Sequence, residues 1–401
     1  MTILDDVELA PADPILGLTE AFRSDGRSGK VNLGVGVYLG QDGKLPLMRA
    51  VRSASGRITA DLGPRGYQPI DGIADYDRLT RELVFGKDSE PVTSKRVTTV
   101  QTLGGTGALK IAADFLRSIN PDAKVLISSP SWENHRALFT RAEFLVEEYR
   151  YYSESRRGID FDGMVADLNA AEAGTIVVLH ACCHNPTGYD LDERQWGRVI
   201  EIVRDRQLVP LLDMAYQGFG FGIEADGAVV TRFAAAGMPV FVATSFSKSF
   251  GLYGERVGAL HVVSPDAQTA SRVLSQVKIC IRTNYSNPPT YGAALVATVL
   301  GDPELRREWE MELASMRDRI KDMRSQLVTG LRRHGIEDMD FILEQLGMFS
   351  YSGLSKDQMD ELRTKYAIYG TSAGRMCVAA LNEDNIEQVV GAIAAVRKVG
   401  S

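Results

Sequence analysis

Apolar residues along this chain fall into short continuous runs, separated by longer stretches in which they recur every three or four positions. KVLISSP (124–130), TIVVLHACC (175–183), VPLLDMAY (209–216) and PVFVATSF (239–246) are runs of the first kind. Their length and β-branched content predict strands buried on both faces. DLDERQWGRVIEIVRDRQ (190–207) is of the second kind and predicts an amphipathic helix. The alternation predicts an α/β protein with a mainly parallel sheet covered by helices. Ahead of it, residues 1–14 lack periodicity and read as an extended arm or a frayed terminus, followed by a short helix, ILGLTEAFRSD. Beyond it, IRTNYSNPPTYGA (281–293) reads as a hinge-like segment before a helix from about 303 to 334. Asp302 suits the cap of that helix and Pro303 its first turn. Trp309, Leu313, Met316, Ile320, Met323, Leu327 and Leu331 form one apolar stripe along it, a core face. FILEQLGMFSYSGL, YAIYG and RMCVAAL then read as strands of a smaller domain.

A chain of 401 residues suits one large domain with a smaller companion. Lys and Arg number 45 against 52 Asp and Glu, so a broad nucleic-acid surface is not expected. No apolar run approaches a membrane span, and the acidic start has no leader-like apolar stretch. Cys182, Cys183, Cys280 and Cys377 show no zinc-type spacing, so neither structural metal nor disulfides are expected. A reducing, cytoplasmic setting is the corresponding expectation.

In parallel sheets ligands bind beyond the carboxyl ends of the strands, and chemistry-bearing residues gather at those ends here. SFSKSFGLYGERVG (245–258) places Lys248 just after an apolar run. An imine to an aldehyde cofactor would explain it; a surface lysine in a turn is the plainer alternative. Ser245, Ser247 and Arg256 then read as a phosphate cradle. LGGTGALKIAADFLRS (103–118) opens a helix from glycines, so Gly105 and Thr106 would present free N–H groups to an anion. A tight turn explains the same glycines. Asp213 would face a pyridine nitrogen, or cap the next turn. Asn185 and Tyr216 would donate to a phenolic oxygen, and Trp132 would stack on a ring. Arg375 and Arg282 are candidate carboxylate ligands or ordinary surface arginines. Gly36 is a candidate close approach to substrate, and Tyr67 a loop hydroxyl. His135, His180 and His184 read as supporting or core histidines.

LGVGVY, GYQPIDG, GGTGAL, PSWENH, HACCHNPTG, DMAYQGFG, SFSKSFGLYGERVG, IRTNYSNPP, GMFS and SAGRMCVAALN follow one another across almost the whole chain. With them the chain resembles the class I, fold-type I pyridoxal-phosphate aminotransferases of the aspartate, tyrosine and aromatic amino-acid branch. That resemblance implies a cofactor domain on a seven-stranded, mainly parallel sheet and a smaller α/β domain built from both termini. The implied divisions are an arm (1–14), small-domain residues 15–46, the cofactor domain (47–302), and a long helix with the remaining small domain (303–401). It implies pyridoxal 5′-phosphate held as an imine on Lys248, with Asp213 on the ring nitrogen and His135 supporting Asp213 from behind. Asn185 and Tyr216 would take the phenolic oxygen, and Trp132 the ring face. Gly105, Thr106, Ser245, Ser247 and Arg256 would hold phosphate, with Tyr67 supplied by a second copy. Arg375 would bind the substrate α-carboxylate, and Arg282 of the second copy a distal carboxylate. A homodimer with shared sites follows from the same resemblance, as does ping-pong exchange between amino acids and 2-oxo acids.

Leu39, Leu45 and the missing side chain at Gly66 make room and apolar surface for an aromatic substrate. Burying a phenyl group is worth about 1.5–3 kcal/mol, enough for roughly tenfold to hundredfold discrimination. Thr106 and Asn287 are shared with dicarboxylate-specific members of the branch. The expectation is a broad enzyme taking Phe, Tyr, aspartate and glutamate with 2-oxoglutarate or oxaloacetate; strict aspartate exchange is the alternative. Decarboxylases and lyases of the same fold fit the paired arginines less well. A regulator domain lacks its basic helix-turn-helix, and GGTGAL lacks the G-x-G-x-x-G of dinucleotide binders.

Overall fold

The computed structural model describes residues 2–9, 16–61 and 63–398. Seven strands are laid out in the spatial order Val97–Leu103, Val257–Val263, Val240–Ser245, Val209–Met214, Ile176–His180, Lys124–Ser129 and Leu145–Arg150. Val257–Val263 runs antiparallel to both neighbours, and every other pair is parallel. Val240–Ser245 and Val257–Val263 are buried at every position. The first is the expected run PVFVATSF; the second is absent from the sequence expectation, since Gly258 and His261 interrupt its apolar residues. Val100, Ile111, Phe115, Phe139 and Phe241 belong to one core cluster, in which helix Gly104–Ile119 packs on the sheet.

Leu145–Arg150 is absent from the sequence expectation because it is a largely exposed edge, LVEEYR, with little apolar signal. Its charges suit an edge strand, and Glu148 there pairs with Arg136 at 2.6 Å.

His261 in the antiparallel strand is buried, with its ring nitrogens 3.0 Å from Thr99 Oγ1 and 3.3 Å from Thr244 Oγ1. Burial, aided by Arg81, pushes its pKa down to about 3. The unfolded chain therefore binds a proton there below about pH 6.5 that the folded chain refuses, and stability falls as pH falls. His261→Gln is expected to lose about 2 kcal/mol less than the parent between pH 7 and pH 5. Urea midpoints at the two pH values check this, and equal losses would contradict it.

The chain divides into two units. The larger comprises Leu45–Lys321 with Glu344–Gly347; the smaller takes residues up to Lys44, Asp322–Leu343 and those from Met348 on. Helix Pro303–Arg333 contributes to both, starting where Asp302 accepts from the N–H groups of Glu304 and Leu305. All seven residues of its apolar stripe are buried. Trp309 donates its indole N–H to Ser249 O at 2.7 Å and stacks on Phe250, so the helix pins the turn that follows Lys248.

In the smaller unit Val31–Asn32 pairs with Ile368–Tyr369 in parallel, and Phe349–Tyr351 pairs with Arg375–Cys377 antiparallel. Two expectations need correction there. FILE is a 3₁₀ turn, Asp340–Glu344, because burial at Ile342 and then Gln345 has a period of three, not two. Val378–Ala380 likewise leaves the strand for a 3₁₀ turn.

The 281–293 segment also differs from its hinge-like reading. Its first residues finish a helix, Ala267–Asn284, capped by Asp266 and buried at Val277 and Ile281. Another helix starts at Tyr291, leaving only 285–290 irregular. Of the arm, residues 2–9 hold a turn in which Asp5 accepts from the Thr2 N–H. Met1 and residues 10–14, with Ile15 of the expected first helix, lie outside the described residues; the helix is described over Leu16–Ser24. No described helix is long and apolar enough to cross a membrane.

Candidate active site

Parallel strands end together, so side chains distant in sequence meet beyond one sheet edge. Lys248 is half-buried just after Val240–Ser245, its ammonium 4.9 Å from the centroid of the Tyr216 ring. Tyr216 is itself buried just beyond Val209–Met214. Asp213, near the end of that strand, accepts at Oδ2 from His135 Nε2 at 2.9 Å. The other His135 nitrogen, Nδ1, lies 2.9 Å from Ser131 Oγ, and Trp132 packs edge-on to the ring at 5.3 Å. Burial alone would drive the Asp213 carboxyl up; the His135 hydrogen bond, with the fields of His135 and then of its other neighbours, Lys248 last among them, outweighs it and leaves it below its ordinary value. His180 beside it is pushed down to about 3 by burial and then by His135, so it is neutral near pH 7.

An anion cradle lies on the neighbouring elements. The Ser245 hydroxyl donates to Ser247 Oγ at 3.2 Å and accepts from the Ser247 N–H at 3.3 Å. Arg256 Nη1 donates to Ser247 Oγ at 3.4 Å and to Tyr253 O at 3.0 Å. Helix Gly104–Ile119 approaches this group through glycine: a Cβ at Gly104, whose φ is +69°, would stand 2.6 Å from Arg256 Nη2. A Cβ at Gly105 would stand 3.1 Å from Ser245 Cβ. With Thr106 in the same first turn, a helix N-terminus, two hydroxyls and a guanidinium converge, which fits a phosphate ester dianion.

Asn185 is buried in a loop fixed by Asp190, which accepts from the N–H groups of Cys183 at 2.6 Å and His184 at 2.8 Å. Burial pushes the Asp190 carboxyl up to about 6 against those two bonds. His184 is clamped between Ser128 Oγ and Thr187 Oγ1, each at 2.9 Å, and stacks on Tyr151 at 4.0 Å.

Arg375 lies in the smaller unit, 1% exposed. It donates to Gly34 O at 2.9 Å, and its guanidinium carbon sits 4.3 Å from the Phe349 ring centroid. The close approach at Gly36 is to that same ring, since a Cβ there would stand 2.7 Å from Phe349 Cζ. Gly36 thus lets the chain lie against the platform that orients Arg375.

Tyr67 and Arg282 stand outside these groups. Tyr67 is 95% exposed. Arg282 is exposed in the last turn of Ala267–Asn284, with its side chain on Ser286. The sequence reading omits Ser131, Asp190 and Phe349 as supports. Ser131 had a signal, four residues ahead of His135 at the start of helix Glu133–Arg141; Asp190 closes its own loop six to seven residues back, and Phe349 depends on a contact with a distant segment.

The chemistry of these strand ends, a lysine beside a buried carboxylate and an anion cradle, would suit a phosphorylated nitrogen heterocycle and is compatible with the class of lysine-anchored cofactor enzymes. The model of the aminotransferase class I and II family matches residues 28–393, and the chain belongs to that family. It is 56% identical to an aspartate aminotransferase of Pseudomonas aeruginosa over 394 residues, covering 98% of this chain and 99% of the relative. It is 48% identical to an aromatic-amino-acid aminotransferase of Escherichia coli, covering 97% and 99%. Among solved structures, the aromatic-amino-acid aminotransferase from Burkholderia pseudomallei covalently bound to pyridoxal phosphate is 61% identical, with a TM-score of 0.96 over 99% of this chain and 100% of that one.

Proposed function

We propose that this chain is a pyridoxal-phosphate aminotransferase that exchanges amino groups between aromatic or dicarboxylic amino acids and 2-oxo acids. The observation that carries the reading is a buried carboxylate, Asp213, kept ionised by His135 and facing the field of Lys248. Pyridoxal phosphate, when bound, supplies an aldehyde carbon for the substrate amine and a ring that draws electron density from the substrate Cα. Asp213 would hold the proton of the ring nitrogen, Asn185 and Tyr216 would donate to the ring oxygen, and Trp132 would cover the ring face. The serine–arginine cradle with Gly105 and Thr106 would hold the phosphate. Lys248 would take the proton from the substrate Cα and return it, as base and then acid, in a site whose aromatic walls limit water. Arg375 would receive the substrate α-carboxylate as a two-point fork. The order is ping-pong, one oxo acid leaving before the second substrate enters.

The exposure of Tyr67 and Arg282 supports a homodimer in which each serves the partner's site. Free cysteines suit a reducing cytoplasm. Leu45, 47% exposed, and Gly66, where a Cβ would meet nothing within 4 Å, support room for an aromatic ring; Leu39 adds apolar surface on the smaller unit. The aspartate aminotransferase at 56% identity favours the second reading, strict aspartate exchange.

Arg282→Leu separates the two roles of the pocket. We expect kcat/KM for aspartate to fall about 10–100-fold, as for a lost charge-assisted hydrogen bond, and that for phenylalanine to fall much less. Equal losses for both substrates would contradict the assignment of Arg282 to the distal carboxylate.

A further inference from the structure

His180 is a buried polar group that the proposed reaction leaves unused. It is 7% exposed, and neither ring nitrogen meets a hydrogen-bonding group among the described residues. An imidazole offers one N–H and one lone pair, and each left unmade in a dry interior costs about 1–3 kcal/mol. Such a side chain points to a ligand that bonds to it. Its register partner on the adjacent parallel strand is Asp213, and its ring centroid lies 5.1 Å from that of His135. One ligand atom from each of His135, His180 and Asp213 lies within 4.8 Å of the other two, and all three residues are buried.

We propose that these residues form a site for a borderline-soft divalent cation, zinc in the first instance, in the chain that has not yet taken up its cofactor. Two imidazoles and one carboxylate are a three-ligand set that zinc accepts, with a fourth position left open. Donors 4.8 Å apart or less surround a point no more than about 2.8 Å from each. Shifts of under about 1 Å therefore reach the ~2.0–2.2 Å of zinc–nitrogen and zinc–oxygen bonds. Ser131 on His135 Nδ1 either donates or accepts, so it steadies the ring while Nε2 turns from Asp213 to the metal. No spacing in the sequence announces the set, because each ligand comes from a different element. On the reading of Asp213 as the ring-nitrogen partner, cation and cofactor compete for one carboxylate. The cation would then block cofactor loading.

The test titrates full-length, cofactor-stripped protein with Zn²⁺ against a chromogenic chelator, and with Co²⁺ for its visible spectrum. The expected result is one equivalent per chain, with Co²⁺ bands of four-coordinate intensity. Pyridoxal phosphate should release that equivalent as cofactor absorbance develops, and His180→Gln should weaken metal binding at least about tenfold. Unchanged affinity in folded His180→Gln, or metal retained on the fully cofactor-loaded chain, overturns the proposal. Should His180→Gln fail to fold, displacement from the parent protein decides. Absence of cofactor absorbance would count against the proposed function, and the metal titration reads the site independently of it.

Discussion

Lys248→Ala is expected to lower turnover of every amino-acid substrate by at least about 10⁴-fold, the upper range for a positioned acid–base group. The loss should fall on kcat, because Arg375, the proposed anchor for the α-carboxylate, is untouched. Among the described residues, neither Arg256 nor His180 is set to replace the lysine. Arg256 is committed to Ser247 and the Tyr253 carbonyl, and the imidazole of His180 is neutral. Stopped-flow measurement of a single half-reaction checks this more cleanly than steady-state rates, since it isolates proton transfer at Cα. Rescue by added small primary amines would support the base role, and wild-type half-reaction rates in the variant would refute it.

Asp213→Asn has the second-largest expected effect, about 10²–10³-fold in kcat/KM, comparable to removing one preorganised electrostatic partner. Asparagine keeps the size and one acceptor for His135 but carries no charge to hold a proton on a ring nitrogen. Its burial makes the difference large, because the wild-type carboxylate remains ionised there only through the hydrogen bond of His135 and the fields around it. Weaker cofactor retention should accompany the loss, read as a faster off-rate on dilution. A variant with wild-type kcat/KM would show that Asp213 is a structural cap and not a partner of the ring.

Much of this was legible in the sequence because burial on both faces leaves a plain trace. PVFVA (239–243) and VPLL (209–212) carry no polar interruptions, and the strands they open lead directly to Lys248 and Asp213. The long helix was legible for a related reason: one stripe faces the core, so Trp309 through Leu331 recur at helical spacing. Where burial is one-sided or absent, the trace fades. LVEEYR is a strand by pairing, not by pattern, and FILE has enough apolar residues for a strand but buries only Ile342, three residues ahead of buried Gln345. Arg282 looked like part of a hinge because Pro288 and Pro289 follow it, whereas the helix from Asp266 is long enough to include it. The supports of the site were the least legible. Phe349 beneath Arg375 and His180 beside Asp213 are contacts between segments distant in the chain, which no local spacing encodes; Asp190 reaches back within its own loop to the N–H groups of Cys183 and His184, a loop closure with no periodic trace.

The central claim is a single lysine-anchored site that serves both aromatic and dicarboxylic amino acids. Rapid mixing of the cofactor-loaded protein with phenylalanine or, separately, with aspartate tests it most directly, followed through the cofactor's absorbance. The account predicts prompt loss of that absorbance with either amino acid and its return on adding 2-oxoglutarate. Loss with aspartate alone would contradict the reading of Leu39, Leu45 and Gly66 and leave a strict aspartate enzyme.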